Sequence, residues 1–130
     1  MWSIDLNFLD KESASRFGFE KPEWNKINLE SSKQNPGPLS RHSVVLFNNG
    51  AFVYGGLRPN GSANCELFKF DLKSLKWELA KQKDDLPGER EGHSCCLVDD
   101  SMILFGGFET GERANDIIRY NFQSHRWTRL

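Results

Sequence analysis

The C-terminal part of the sequence contains the same pattern twice, at a spacing of about fifty residues. Gly92-His93-Ser94 repeats Arg41-His42-Ser43, and Gly106-Gly107 repeats Gly55-Gly56, both at an offset of 51 positions. The later matches are Asn115-Asp116 for Asn64-Cys65, Tyr120 for Phe70, and Trp127 for Trp77. The offset falls to 50 at the last two, which a deletion in one loop explains. A fixed period of this length predicts a repeat architecture whose units pack on one another.

Each repeat contains four segments with the composition of β-strands. Short apolar runs flank a polar turn and predict a hairpin, and two further strands follow the paired glycines. Asn49-Gly50 in the first hairpin favours the positive φ angles of a tight turn. The predicted strands are 44–47, 51–54, 66–71 and 76–79 in the first repeat, and 94–98, 102–105, 117–121 and 126–130 in the second. Four antiparallel strands in about fifty residues are typical of one blade of a β-propeller.

The order His-Ser, apolar hairpin, Gly-Gly, Asn-Asp, aromatic residue and Trp resembles the kelch repeat, over residues 37–130. The first repeat departs from the kelch pattern at Arg41, where glycine is usual, and at Cys65, where aspartate is usual. The resemblance implies an all-β protein with kelch-type β-propeller blades, four-stranded antiparallel sheets, at 37–79 and 88–130. The connections 34–38 and 84–88 contain Pro and Gly, which exclude a strand interior.

Residues 1–30 resemble part of a third blade. Trp24 precedes Trp77 by 53 positions, so 24–29 is predicted as a fourth strand and 16–20 as the third strand before it. The alternating segment 4–9 is one further strand without an assigned place. The total is about two and a half blades, whereas a closed propeller takes about four to eight. We therefore expect a fragment of a longer protein, a ring completed by copies or another chain, or a capped open stack.

Composition narrows the function classes. A net charge of −1 disfavours general binding to nucleic acid or to a membrane surface. The longest apolar run, 102–105, is too short to span a bilayer, and no signal peptide is visible. Three cysteines, of which Cys95 and Cys96 are adjacent, form a poor disulfide framework and predict reduced, small core residues. We expect a cytoplasmic protein.

The recurring His and Trp residues allow a functional and a structural interpretation. His42 and His93 could form a metal or catalytic pair, or each could tie its first strand to a neighbouring element by a hydrogen bond. Their equivalent positions in different blades favour the structural role. The regular spacing of Trp77 and Trp127 likewise favours packing between blades. The sequence therefore predicts no catalytic residue, no metal ligand and no cofactor.

The resemblance to kelch propellers also implies where a partner binds. In those propellers, partner peptides dock on one face through residues just after Gly-Gly and just before the His. Arg58 and Arg90 have the forked donors that recognise carboxylates, and Phe108 could be an apolar anchor. Each position could equally hold an ordinary loop residue. The matching positions in this sequence are Leu39, Arg41, Leu57, Arg58, Arg90, Glu91, Phe108 and Glu109.

The leading functional hypothesis is a non-catalytic protein–protein interaction module that presents propeller loops to a protein partner, as part of a larger propeller or assembly. Self-association, or pairing with further blades to complete a ring, is a possible additional interaction. One alternative is a structural subunit of a multiprotein complex. Another is a fragment of a metal-dependent enzyme, because kelch-like propellers also occur among enzymes. Such a site needs ligands that converge from several blades.

Overall fold

The computed structural model describes residues 34–83 and 87–130, together with the strands Trp2–Ile4 and Trp24–Lys26. The chain divides into two units, Met1–Glu30 and Ser31–Leu130. In the first unit, β1 (Trp2–Ile4) pairs antiparallel with β2 (Trp24–Lys26). β2 begins at the start of the predicted fourth strand, whereas the predicted strand 16–20 and most of 4–9 lie outside the described residues.

The first blade is a four-stranded antiparallel sheet in the sequence order β3-β4-β5-β6. Val45 and Phe70 alternate with more exposed neighbours along their strands, as expected for side chains that point to opposite faces. Its strands are β3 (Ser43–Phe47), β4 (Gly50–Tyr54), β5 (Leu67–Asp71) and β6 (Lys76–Leu79).

The second blade repeats this sheet, in the order β8-β9-β12-β13. It differs from the first blade by a small extra sheet at one end. There β10 (Phe108–Glu109) pairs with β11 (Glu112–Arg113) and with β7 (Arg90–Glu91). The four blade strands are β8 (Ser94–Val98), β9 (Ser101–Phe105), β12 (Ile117–Asn121) and β13 (Arg126–Arg129).

The hairpin turns show a small shift from the sequence prediction. The turn in the first blade is Asn48-Asn49, because Phe47 pairs with Gly50 and the glycine already belongs to β4. Asn48 takes the positive φ of 52°, and Asp99 at the equivalent place in the second blade has a φ of 51°. Asn and Asp tolerate this conformation better than other non-glycine residues. The turn predicted from the sequence, Asn48-Asn49-Gly50, thus includes one residue more than the turn in the structure.

The connections of the blades lie at two opposite ends. We call the end with the hairpin turns 48–49, 72–75, 99–100 and 122–125 the turn end. The opposite end, which we call the loop end, contains the segments that enter the first strands and those that join the second strands to the third. These segments are 38–42, 55–66, 87–93 and 106–116. The predicted partner-binding residues all belong to the loop end.

Aromatic side chains pack between the two blades. Tyr54 of β4 lies 5.1 Å from Trp127 of β13 between ring centroids, and Phe52 lies 4.6 Å from Phe122. The Tyr54 hydroxyl donates hydrogen bonds to the carbonyl oxygens of Pro87 and Gly88, at 2.9 and 2.7 Å. Tyr54 and Trp127 are almost completely buried. The role of Trp127 predicted from its spacing, packing between blades, is thus the one it has in the structure.

The paired glycines are required by close backbone contacts. A Cβ atom at Gly55 would lie 2.3 Å from the Arg90 carbonyl oxygen, and one at Gly107 would lie 2.5 Å from the Glu91 carbonyl oxygen. Both residues also have positive φ angles, of 66° and 92°. The approach allows the Gly56 N–H to donate to the Arg90 carbonyl oxygen at 2.8 Å. The absence of a side chain at these glycines therefore lets the ends of β4 and β9 approach the backbone of Arg90 and Glu91 closely.

The two described blades do not close into a ring, so the fold is a partial propeller. Residues 34–83 and 87–130 contain no α-helix, and no helix long and apolar enough to cross a membrane occurs among the described residues. All three cysteines are free. Cys95 is half-buried, but Cys65 and Cys96 are exposed, so the prediction of small core residues applies to Cys95 alone.

Candidate partner-binding face

A shallow groove lies at the loop end of the first blade. Two backbone hydrogen bonds hold its walls together: the Ser40 N–H donates to the Leu57 carbonyl oxygen at 3.0 Å, and the Leu57 N–H donates to the Ser40 carbonyl oxygen at 2.7 Å. The groove has a volume of about 190 Å³. The two leucines and two prolines give it an apolar wall. Its lining residues are Pro38, Leu39, Ser40, Leu57, Arg58 and Pro59.

Arg58 is held beside this groove by its own loop. Its guanidinium donates to the Ala63 carbonyl oxygen at 3.2 Å, to Asn64 Oδ1 at 2.6 Å and to the Glu66 carboxylate at 3.2 Å. One third of the side chain, 33%, remains exposed. Asn64 is completely buried, and its amide donates to the Glu66 carbonyl oxygen at 2.8 Å. The loop therefore fixes the position of a partly accessible cation.

Arg41 and Glu91 connect the loop ends of the two blades. Arg41 Nη1 lies 3.1 Å from Glu91 Oε2, and the Gly92 N–H donates to the Arg41 carbonyl oxygen at 2.9 Å. The Arg41 side chain is 63% exposed and that of Glu91 is 18% exposed, so solvent screens this ion pair on the arginine side and the pair adds little stability. Arg41 has a φ of 55°, close to the 64° of Gly92 at the equivalent place. That conformation explains why glycine suits the position.

Arg90 departs from the expectation for a partner-binding residue, because its side chain is completely buried. Its guanidinium donates to Asp116 Oδ1 at 2.6 Å, to Asp116 Oδ2 at 3.1 Å and to the Gly106 carbonyl oxygen at 2.9 Å. Glu109 Oε2 lies 3.0 Å away. Arg90 therefore binds carboxylates of its own chain and stabilises the loop end. Its side chain is not accessible to a carboxylate of a partner. We leave it out of the partner-binding face proposed below.

Asp116 and Glu109 neutralise the buried guanidinium. The hydrogen bond from Arg90 holds the pKa of Asp116 below its ordinary value, and Arg129 Nη2 lies 3.2 Å from Asp116 Oδ2, which also accepts from Arg90. Glu109, which is half-buried, also accepts a hydrogen bond from the Gly88 N–H at 3.2 Å. Glu109 therefore belongs to the same internal network. Asp116 was missing from the predicted site residues, although the recurring Asn-Asp position already marked it in the sequence.

Phe108 is the largest accessible apolar side chain among the predicted positions, with 40% of its surface exposed. The hairpin of β10 and β11 presents it, because Phe108 pairs with Arg113 and the strands meet at the turn of Thr110 and Gly111. The Arg113 guanidinium lies 5.9 Å from the centroid of the Phe108 ring, within reach of a cation–π interaction. Arg113 was not among the predicted partner-binding residues. Its position close to the turn of Thr110 and Gly111 was the sequence feature that could have indicated it.

His93 makes the kind of contact that the structural interpretation predicted. Its Nε2 lies 2.5 Å from the Ser43 hydroxyl oxygen, across the boundary between the blades. Burial, assisted by the nearby charges of Arg90 and His42, lowers the pKa of His93 to about 4. His42 is exposed, and its Cβ lies 2.8 Å from a Cβ placed on Gly56. The two histidines thus lie on either side of the first Gly-Gly pair.

The loop end does not assemble a group of titratable side chains suited to metal binding. Within 34–83 and 87–130, no cluster of three or more His, Cys, Asp or Glu residues is placed to hold a metal ion. What the loop end does assemble is an apolar groove, the accessible arginines Arg41, Arg58 and Arg113, and the exposed Phe108. This combination suits recognition of a polypeptide surface, since apolar anchors and arginines are enriched at protein interfaces.

Comparison with known proteins gives one family match. Residues 9–130 match a family model described as the KLHDC2/KLHL20/DRC7 Kelch-repeats domain. The chain is 34% identical over 89 residues to kelch domain-containing protein 3 of Bos taurus, an alignment that covers 67% of this chain and 23% of that protein.

Two other similar proteins cover more of the chain. The chain is 31% identical to the leucine-zipper-like transcriptional regulator 1 homolog of Drosophila melanogaster, over 81% of this chain and 11% of that protein. It is 28% identical to the Rho GTPase-activating protein gacHH of Dictyostelium discoideum, over 92% of this chain and 8% of that protein. The chain thus spans less than a quarter of the length of these relatives.

Proposed function

Because this chain belongs to the kelch-repeat family, we propose that it is a non-catalytic protein-interaction module that binds a protein partner at its loop end. Kelch domains generally bind protein partners. The observation that carries the proposal is the position of the groove between Leu39 and Leu57 at the same end as Phe108 and the partly exposed Arg41 and Arg58. Shape and charge complementarity are sufficient for this function.

The proposed partner surface combines an apolar segment with a carboxylate. The apolar segment would fill the groove and cover Phe108, where burial of an aromatic side chain contributes most to affinity. The carboxylate would approach Arg41 or Arg58, whose side chains are 63% and 33% exposed. Arginine forms bidentate hydrogen bonds with carboxylates, so it supplies orientation as well as charge. The net charge of −1 supports a protein partner over nucleic acid or a membrane.

We propose further that the chain functions within a larger propeller or assembly, in the cytoplasm. The larger propeller or assembly is supported by the open arrangement of the two described blades and by the length of the chain, which spans less than a quarter of its relatives. The cytoplasmic location is supported by the three free cysteines. A structural role in a multiprotein complex is the second candidate, and it is favoured by the apolar side chains exposed on the second blade, such as Phe105.

The experiment is a comparison of partner capture by variants at the two ends. Purified chain, immobilised through its terminus, is incubated with cell extract, and captured proteins are quantified by mass spectrometry. Phe108→Ala and Arg58→Ala change the loop end, whereas Lys73→Ala and Leu75→Ala change exposed residues at the turn end. A partner that binds at the loop end loses about tenfold in affinity with Phe108→Ala, since one anchor contributes more than about 1 kcal/mol.

Two results would contradict the proposal. Capture that is insensitive to the loop-end variants but reduced by the turn-end variants would place the interaction at the wrong end. Equal capture by all variants, with each variant folded by circular dichroism, would remove the loop-end residues from binding altogether. Turnover of a substrate by the purified chain would contradict its non-catalytic character.

A further inference from the structure

Two asparagines of this sequence, Asn49 and Asn60, are followed directly by glycine. An asparagine in this context can lose its amide without an enzyme, because the backbone nitrogen of the next residue can attack the side-chain carbonyl carbon. Glycine favours this attack, since it has no side chain and its backbone adopts many conformations. In a folded protein the attack also requires that the reacting atoms can reach the right geometry. The two sites differ strongly in this respect.

Asn49 lies in the hairpin turn of the first blade, and the sheet restrains the glycine that follows it. Gly50 is buried and belongs to β4, where it pairs with Phe47 on one side and with Asp71 on the other. A Cβ atom at Gly50 would lie 2.9 Å from Lys69 Cε, so a side chain packs closely against this backbone. Movement of the Gly50 nitrogen towards the Asn49 side chain would disrupt the sheet. The fold should therefore slow the reaction at Asn49.

Asn60 lies in an exposed turn at the loop end, and its side-chain carbonyl group is polarised. Asn60, Gly61 and Ser62 are all exposed, and no described residue has an atom within 4 Å of a Cβ placed on Gly61. Asn60 Oδ1 accepts hydrogen bonds from the Ser62 N–H at 3.0 Å and from the Ser62 hydroxyl at 2.8 Å. Attack on the carbonyl carbon places negative charge on this oxygen. Donors that already point at the oxygen stabilise that charge.

One hydrogen bond of the turn opposes the reaction. The Gly61 N–H donates to the Arg58 carbonyl oxygen at 2.9 Å, and this bond must open before the nitrogen can attack. Hydrogen bonds in exposed loops open at a small cost in free energy, whereas β4 has a partner strand on each side. The cost of freeing the nitrogen should therefore be much smaller at Gly61 than at Gly50.

Two other asparagines accept similar hydrogen bonds but lack the glycine. Asn35 Oδ1 accepts from the Gly37 N–H at 2.8 Å, but a proline follows Asn35, and its nitrogen carries no proton. Asn121 Oδ1 accepts from the Ser124 N–H at 2.8 Å, but the next residue, Phe122, is buried. Asn60 combines the two donors with an exposed glycine.

We propose that Asn60 is a site of spontaneous modification, at which the amide is converted to aspartate and isoaspartate in the folded protein. The Gly61 nitrogen forms a bond to Asn60 Cγ, the Cγ–Nδ2 bond breaks, and the proton of the attacking nitrogen leaves with the amide as ammonia. Water then opens the resulting succinimide. Opening at the Cγ carbonyl gives aspartate, and opening at the backbone carbonyl gives isoaspartate. Both products carry a carboxylate in place of a neutral amide.

The modification would change the edge of the proposed partner-binding groove. Arg58 and Pro59 line the groove and directly precede Asn60, and the Arg58 N–H donates to the Ser62 carbonyl oxygen at 2.9 Å to close the loop. A carboxylate in this loop would repel the partner carboxylate proposed for Arg58, and isoaspartate also lengthens the loop backbone by one methylene group. We therefore expect weaker partner binding after modification. This consequence rests on the proposed function, whereas the modification itself does not.

The reaction is measured at both asparagines in one sample. The folded chain is incubated at neutral pH and digested, and the amide, aspartate and isoaspartate forms of each peptide are quantified by chromatography and mass spectrometry. Asn60 should react about tenfold faster than Asn49 or more, which corresponds to a difference of about 1.4 kcal/mol in activation free energy. In guanidinium chloride the two sites should react at similar rates, because the fold then restrains neither glycine.

A serine variant tests the donors. Ser62→Ala removes the hydroxyl donor and keeps the N–H donor, so it should slow the reaction at Asn60 severalfold and leave Asn49 unchanged. Ser124→Ala, in a turn of the second blade, is the matched control and should change neither rate. An unchanged rate in Ser62→Ala would contradict stabilisation of the developing charge by the hydroxyl.

Two results would overturn the modification site. The first is a rate at Asn49 that equals the rate at Asn60 in the folded chain, because the sheet would then give no protection. The second is a rate at Asn60 that is about tenfold lower in the folded chain than in guanidinium chloride, which would mean that the turn protects the amide.

The effect on binding is measured with the partner captured at the loop end. Asn60→Asp should lower its affinity severalfold, and the incubated chain should lose binding in proportion to its modified fraction. Asn60→Gln keeps an amide but does not form the succinimide, so it should retain its binding after the same incubation. Full binding by Asn60→Asp would overturn the consequence for the partner. Failure to capture any partner would contradict the proposed function and would leave the measured reaction rates unaffected.

Discussion

Arg90 and Asp116 form a bidentate ion pair in the second blade, with N–O distances of 2.6 and 3.1 Å, and the guanidinium is completely buried. The first blade has Leu39 and Cys65 at the two equivalent positions. The two repeats therefore differ at these positions, since the second has a buried ion pair, whereas the first has Leu39 in the groove and an exposed Cys65. A buried pair of charges is costly to break and much less costly to replace as a whole.

Exchange of the ion pair for the residues of the first blade tests this relationship. Arg90→Leu and Asp116→Cys each leave a buried or half-buried charge without its main partner, and each should lower the free energy of unfolding by about 3–5 kcal/mol. The double variant should lose clearly less than the sum of the two. Urea denaturation of the four proteins gives the coupling free energy. Losses that add without coupling would mean that the two side chains act independently.

The hydroxyl of Tyr54 offers a second comparison between repeats. Tyr54→Phe removes its hydrogen bonds to the carbonyl oxygens of Pro87 and Gly88, and it should lower the free energy of unfolding by about 1–3 kcal/mol. Phe105 occupies the equivalent position of the second blade and is exposed. Phe105→Tyr should therefore change stability by less than about 0.5 kcal/mol. Equal effects of the two substitutions in urea denaturation would contradict a role of Tyr54 in joining the blades.

The strands of both blades could be predicted because the information is local. Apolar runs around Asn48 and Asp99 define the hairpins, and the repeat confirms each assignment by a second occurrence. Side-chain burial at the loop end could not be predicted in the same way. Arg90 is separated from Asp116 by 26 positions, and its burial depends on the bond between them. In the sequence, the position of Arg90 shortly before His93 does not distinguish a buried arginine from an accessible loop residue.

Among the partner-binding positions, too, some placements could be predicted from the sequence and others could not. Leu39, Leu57 and Arg58 come together in one groove, as expected from residues that flank the paired strands at one end. The position of Arg113 over Phe108 depends on the β10–β11 hairpin, which exists in the second blade and is replaced in the first by a loop with Pro59 and Gly61. Differences between repeats of this kind lie in the loops, where the repeat pattern carries the least information.

Glycine positions at the loop end should differ sharply in their tolerance of alanine. Gly55→Ala would place a Cβ 2.3 Å from the Arg90 carbonyl oxygen, so backbone must move, and we expect a loss of more than about 3 kcal/mol or failure to fold. Gly61 has a similar positive φ, of 84°, but nothing lies within 4 Å of its Cβ position. Gly61→Ala should cost about 1 kcal/mol, from conformational strain alone. Thermal unfolding measures the stability of the two variants. Equal losses of stability would mean that the positive φ angle, and not the contact with the Arg90 carbonyl oxygen, determines the cost.

The buried His93 should make stability depend on pH in a defined window. Its folded pKa of about 4 lies below the ordinary value of 6.5, because burial disfavours the charged imidazolium. Between these values the unfolded chain binds a proton that the folded chain does not, so stability falls as the pH is lowered from about 6.5 to about 4. The slope approaches about 1.4 kcal/mol per pH unit for one such group. Above pH 6.5 this contribution is constant.

Replacement of His93 should remove that slope. His93→Gln keeps a polar side chain near Ser43 but does not titrate, so its free energy of unfolding should be nearly flat between pH 6.5 and 4.5 apart from the contribution of other groups. His42→Gln is the matched control, since it leaves the burial of His93 intact and should retain most of the dependence. Urea denaturation at five pH values measures all three proteins. A slope that persists in His93→Gln would assign the pH dependence to a different group and would contradict the burial of a neutral imidazole at the boundary between the blades.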